Sequence, residues 1–105
     1  MKKIQLMSHP LDFLLHTSII VQMKNKYLKE FILLILKIKN EKELENFLLG
    51  IFTPKELSEI PTRLQIIKLL KKGIPQQKIA HQLGTGIATV TRGSRELKMN
   101  RFKYI

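Results

Sequence analysis

Two stretches of this 105-residue chain carry residue types suited to recognition chemistry. The first runs from Ile87 through Ala88, Thr89, Thr91, Arg95 and Lys98, directly after the turn Gly84-Thr85-Gly86. At a helix start the first backbone N–H groups lack helical partners and can meet a phosphate. Thr89 and Thr91 add hydroxyls for phosphates or base edges, and Ile87 and Ala88 add methyl groups that can lie against a thymine methyl. Lys78, Arg95 and Lys98 supply charge for phosphates around that helix. The second stretch is the set Arg63, Arg92 and Gly93. Guanidinium planes stack on aromatic rings and fork onto carboxylates, so two arginines beside a residue without a side chain suit an aromatic amino acid. Plainer readings stand beside both: a solvated charged face, and a glycine that only lets two helices approach closely.

Helices must position these groups, because the periodicity is helical and nothing alternates like a strand. From Gln76, the residues Ile79, Ala80 and Leu83 give a short amphipathic helix, and Ile87, Val90 and Leu97 anchor a second helix to about Lys98. Short helix, glycine turn and second helix form a helix-turn-helix over about 76–98. Upstream, Phe52-Thr53-Pro54-Lys55-Glu56-Leu57 is a complete helix start. Thr53 is the N-cap, Pro54 the first helical residue, Glu56 the capping-box partner, and Phe52 and Leu57 form the hydrophobic staple. This helix is expected to reach Lys72 and close at Gly73, with a kink or break near Ile60 imposed by Pro61. A shorter helix spans Leu44 to about Ile51. The helix from Tyr27 to about Lys39 is apolar over most of its circumference, so it needs cover from a second copy of the chain or from a monomeric bundle. Residues 1–26 read as a poorly organised N-terminal arm, and 27–105 as one all-α domain.

Composition narrows the function classes. Nineteen Lys and Arg against eight Asp and Glu give a formal charge of +11, which favours an anionic partner, nucleic acid or a membrane surface. The excess is uneven: residues 54–105 hold eleven bases and three acids, and from Lys71 onward eight bases face a single acid, Glu96. There is no cysteine, hence no disulfide framework or sulfur-ligated metal. His9, His16 and His81 lack metal-ligand spacing, and no nucleophile and base or paired carboxylates are placed where a pocket can be argued. No enzyme, no catalytic residue and no metal is expected. The apolar run Phe31–Leu36 is far short of a membrane span, and a cytoplasmic protein is expected. A peripheral membrane protein that uses the lysine-rich helices is the alternative from another class.

The strings GTGIATVTRGSRELK at 84–98, IPTR at 60–63 and FTP at 52–54, with the order of elements between them, resemble the tryptophan operon repressor (Trp repressor) family. The resemblance runs from about Leu28 to Lys98. It implies an intertwined, all-helical homodimer that binds double-stranded operator DNA when L-tryptophan is bound, repressing genes of tryptophan biosynthesis or transport. L-tryptophan would act as a corepressor ligand, with no cofactor. The family pattern assigns Arg63 and Arg92 to the two faces of the indole, and Arg92 and the Thr53 hydroxyl to the carboxylate. Gly93 would be the floor, and carbonyls near Gly50 and Phe52, from the partner chain, would receive the ammonium. It carries DNA contact over to Gln76, Ile87, Ala88, Thr89, Thr91 and Lys98. Four positions depart from the pattern. Glu96 stands where a small or hydroxyl residue is frequent near the ammonium, and either strengthens or obstructs that contact. Gln77 and Ala80 stand where a basic residue often touches DNA, and Pro61 lies just before Arg63. Little of the family's last helix is expected after Lys98. A helix-turn-helix DNA-binding protein with a lost or altered corepressor response is the corresponding alternative.

Overall fold

The computed structural model describes the backbone of residues 10–105 and the side chains of residues 15–105. The described residues form helices α1 (Pro10–Lys37), α2 (Glu41–Ile51), α3 (Pro54–Lys71), α4 (Gln76–Leu83) and α5 (Ile87–Lys98). The chain divides into two compact units, residues 1–45 and 46–105, with the boundary inside α2.

In the first unit α1 begins at Pro10, well before Tyr27, so residues 10–26 of the expected arm are helical; residues 1–9 lie outside the described ones. Leu28, Ile32, Leu33, Leu34 and Leu36 are all exposed, with Leu36 at 70%. Among the described residues of this unit, this apolar stretch is thus left largely exposed. Helix α2 begins at Glu41, three residues ahead of the expected Leu44, and Asn40 precedes it. Asn40 Oδ1 accepts from the backbone N–H of Lys42 at 2.8 Å and of Glu43 at 3.2 Å, which gives two of the unpartnered first-turn donors an acceptor.

The second unit is built on α3, α4 and α5, which all pack against one another. Its core takes one fully buried residue from each helix: Ile66, Ile79 and Val90, at 1%, 0% and 0% exposure. The expected capping box opens α3. Thr53 Oγ1 accepts from the Glu56 N–H at 3.2 Å, and the Thr53 N–H donates to Glu56 Oε1 at 2.9 Å. The expected break near Ile60 does not occur, and α3 runs through Pro61 without interruption. Proline removes one helical donor, and in the same turn the Thr62 hydroxyl donates to the Ser58 carbonyl at 2.8 Å. After α3, Gly73 takes a left-handed φ of 80° while the Ile74 N–H reaches back to the Leu69 carbonyl, a Schellman-type closure. Of the two glycines between α4 and α5, Gly84 is left-handed and closes α4, whereas Gly86 is extended and serves as the N-cap of α5.

Candidate nucleic-acid interface and ligand cavity

The helix α5 sorts its residues by direction. Ile87, Thr91, Arg95 and Lys98 recur at three- and four-residue spacing, which puts them on one face, and all four are exposed. Val90 points into the core, and Leu97 is half-buried. Ala88, Thr89, Arg92, Gly93 and Glu96 turn toward α3. The exposed face carries Arg95 and Lys98, with exposed Gln77 and Lys78 on the first turn of α4 nearby in the motif. A basic helix face that follows a glycine turn has the charge to meet phosphates and the uncharged groups to meet base edges. Gln76 is half-buried, because its side chain is engaged: Thr91 Oγ1 donates to Gln76 Oε1 at 2.9 Å. Thr91 Oγ1 also lies 3.0 Å from the Ile87 carbonyl. Its hydroxyl hydrogen thus faces acceptors within the motif.

Between α3 and α5 lies a cavity of about 510 Å³, within the range of small-molecule sites. From α3 it is lined by Ile60, Arg63, Leu64, Ile66 and Ile67, and from α5 by Ala88, Thr89, Arg92, Gly93 and Glu96. The wall is thus largely aliphatic, with two guanidinium groups and one carboxylate. That set can hold an apolar or aromatic body together with an anionic and a cationic end. A Cβ built on Gly93 would sit 3.1 Å from Ile66 Cγ2 and 3.3 Å from Ile67 Cδ1. The absent side chain is therefore what lets α5 lie this close to α3 while its backbone also borders the cavity.

The structure brings Arg63, Arg92, Gly93 and Glu96 together around this cavity, and places Ala88 and Thr89 on its wall as well as in the motif. It does not bring Gly50, Phe52 and Thr53 into that lining; they lie at the corner between α2 and α3. The Thr53 oxygen accepts from the Glu56 N–H within the capping box. Hydrogen bonding to the Thr53 backbone N–H, and then to its side chain, holds the Glu56 carboxyl below the usual carboxylate range. Glu96 is already partnered: its Oε2 lies 2.7 Å from Arg101 Nε. Phe102 and Ile105 also line the cavity, and sequence reasoning does not single them out, since the chain after Lys98 has no periodic pattern to place it.

Among the described residues no group of histidine and carboxylate side chains is arranged to hold a metal ion, and no helix is long and apolar enough to cross a membrane.

The sequence is similar to known proteins of one description. The sequence is 48% identical over 62 residues to a Trp operon repressor homolog of Actinobacillus succinogenes, covering 58% of this chain and 60% of that protein. It is 42% identical over 60 residues to a homolog of the same description from Vibrio vulnificus, covering 56% and 59%. For the one from Vibrio cholerae the identity is 44% over 55 residues, covering 51% and 53%. The chain thus spans at most about three-fifths of the length of these relatives. The model of the Trp repressor protein family matches residues 26–104, which takes in α2 to α5 and most of the cavity lining. With a family of transcription regulators rather than enzymes matched over most of its length, this chain belongs to the Trp repressor protein family.

Proposed function

We propose that the protein is a cytoplasmic transcriptional repressor that binds double-stranded operator DNA as a homodimer when L-tryptophan occupies the cavity between α3 and α5, and so represses genes of tryptophan biosynthesis or transport. In this reading residues 27–105 are the working domain and residues 1–26 an arm attached to it. The observation that carries it is the two-sidedness of α5: one helix presents Ile87, Thr91, Arg95 and Lys98 outward and Ala88, Thr89, Arg92 and Glu96 to an apolar cavity. A ligand bound on the inner side touches the same rigid element that meets DNA on the outer side. It therefore acts by favouring one position of α5 over others, a population shift whose size equals the ligand's differential affinity for the two positions.

The roles are those that the family pattern implies. Arg63 and Arg92 take the faces of the indole ring, Arg92 and the Thr53 hydroxyl its carboxylate, and Gly93 the floor. Carbonyls near Gly50 and Phe52 of the partner chain, with Glu96, receive the ammonium. Gln76, Gln77, Ile87, Ala88, Thr89 and Thr91 read or approach the DNA, and Lys78, Arg95 and Lys98 neutralise phosphates. The exposed apolar residues of α1 support a homodimer, since a second copy is the cover most readily supplied to them.

One observation favours a second reading, in which the DNA-binding motif remains but the corepressor response is altered: Glu96 holds Arg101 at 2.7 Å at the edge of the cavity. A gel shift on operator DNA at fixed, stated salt, with and without L-tryptophan, separates the two. Tighter binding with ligand supports the first reading. Equal binding in both lanes supports the second, and no binding at any salt overturns both.

A further inference from the structure

The segment after α5 is tied to the cavity, and resting on the reading of that cavity as a ligand site we propose that Arg101–Ile105 forms one of its walls and that Phe102 sets the size of ring it accepts. Asn100 turns the chain: it adopts a left-handed φ of 61°, a conformation asparagine tolerates, directly after the C-cap of α5. The following residues are then fastened to both helices that frame the cavity. Lys71, in the last turn of α3, donates from Nζ to the main-chain oxygens of Phe102 and Ile105. Glu96, near the end of α5, pairs with Arg101.

The placement is selective rather than a general collapse of apolar residues. Phe102 is half-buried and lines the cavity, while Tyr104, two residues on, is fully exposed. Phe102 supplies the one aromatic ring among the described lining residues. A ring at the edge of an otherwise aliphatic cavity favours a flat aromatic guest through edge-to-face or offset contact, and limits how large that guest can be. The two fastenings make the wall rigid enough for that limit to matter, because a loose segment would yield to any guest.

Calorimetry with L-tryptophan and L-phenylalanine tests this on the full chain, alongside hydrogen exchange of residues 99–105 without ligand. Phe102→Ala is expected to weaken L-tryptophan binding by about tenfold or more and to narrow its preference over L-phenylalanine, with Phe102→Leu between the two and helical content unchanged. Lys71→Met is expected to speed exchange in 101–105 and to weaken binding in the same direction. Wild-type affinity in Phe102→Ala, or unchanged exchange in Lys71→Met, overturns the wall. Wild-type affinity for L-tryptophan in Phe102→Ala together with loss of binding in Arg92→Ala overturns the wall alone and leaves the ligand site standing. Absence of binding by the wild-type chain overturns the ligand reading and the role of Phe102 with it.

Discussion

The hydroxyl of Thr91, one turn into α5, lies 2.9 Å from Oε1 of Gln76 at the first residue of α4. This contact joins the two helices of the motif on the side that faces outward. It also orients Gln76, since an amide whose oxygen accepts from Thr91 keeps its NH2 group as a donor for a phosphate or a base edge. Thr91 thus serves the interface through Gln76 as well as by its own position.

Replacing Thr91 by valine keeps the shape and removes the hydroxyl. A hydrogen bond of this kind contributes about 1 kcal/mol net, so operator affinity should fall roughly fivefold. No charge is lost, so the slope of log affinity against log salt should stay as in the wild type. A gel-shift series across salt concentrations measures both. Unchanged affinity would remove Gln76 orientation from the account, and a flatter slope would mean that a phosphate contact was lost instead.

The capping box makes a prediction about pH. The Glu56 carboxyl is held below its ordinary range by the Thr53 backbone N–H and side chain, so folding favours its ionised form. Its contribution is fully present above the ordinary glutamate range and is lost as pH falls through the lowered folded value. The difference in Tm between wild type and Glu56→Gln should therefore be largest near neutral pH and shrink to nothing in strong acid. Thr53→Ala removes the cap itself and should cost about 1 kcal/mol near neutral pH. A Tm difference for Glu56→Gln that is constant from neutral pH into strong acid would show that the carboxylate plays no part in the cap.

How much of this was legible in the sequence depended on whether local chemistry fixed the outcome. The helix-turn-helix and the start of α3 were legible because glycines, a proline and a capping box act within a few residues. Arg63, Arg92, Gly93 and Glu96 gathered as expected because they lie on two helices whose apolar stripes force the pairing. The start of α1 was not legible: Leu15, Ile19 and Val21 are exposed, so no buried face imposes a period on residues 15–26. The helix through Pro61 was legible, but that Pro61 leaves it unbroken was not. One lost hydrogen bond is a local cost, and a helix whose Ile66 and Ile67 are buried further along has packing to offset it. Phe102 was missed because its place depends on Lys71 and Glu96, residues of other elements that no periodicity links to it.

Gly93 offers the sharpest test of how α3 and α5 share the cavity. Glycine inside a helix costs about 1 kcal/mol relative to alanine, so a purely helical argument makes every longer side chain an improvement. The geometry opposes that gain, since a Cβ already meets Ile66 Cγ2 at 3.1 Å and Ile67 Cδ1 at 3.3 Å. Ile66 is 1% exposed and belongs to the core, so it has little room to give. For Gly93→Ala the two effects are of similar size and opposite sign, and the net change in stability should stay within about 1 kcal/mol. For Gly93→Leu the added methylenes have nowhere to go without parting the helices, and a loss of about 1 to 3 kcal/mol is expected. Urea unfolding of the three proteins measures the series. Should the leucine variant prove as stable as the wild type, α3 and α5 would have to separate freely, and the cavity between them would not be held at a fixed width by this contact.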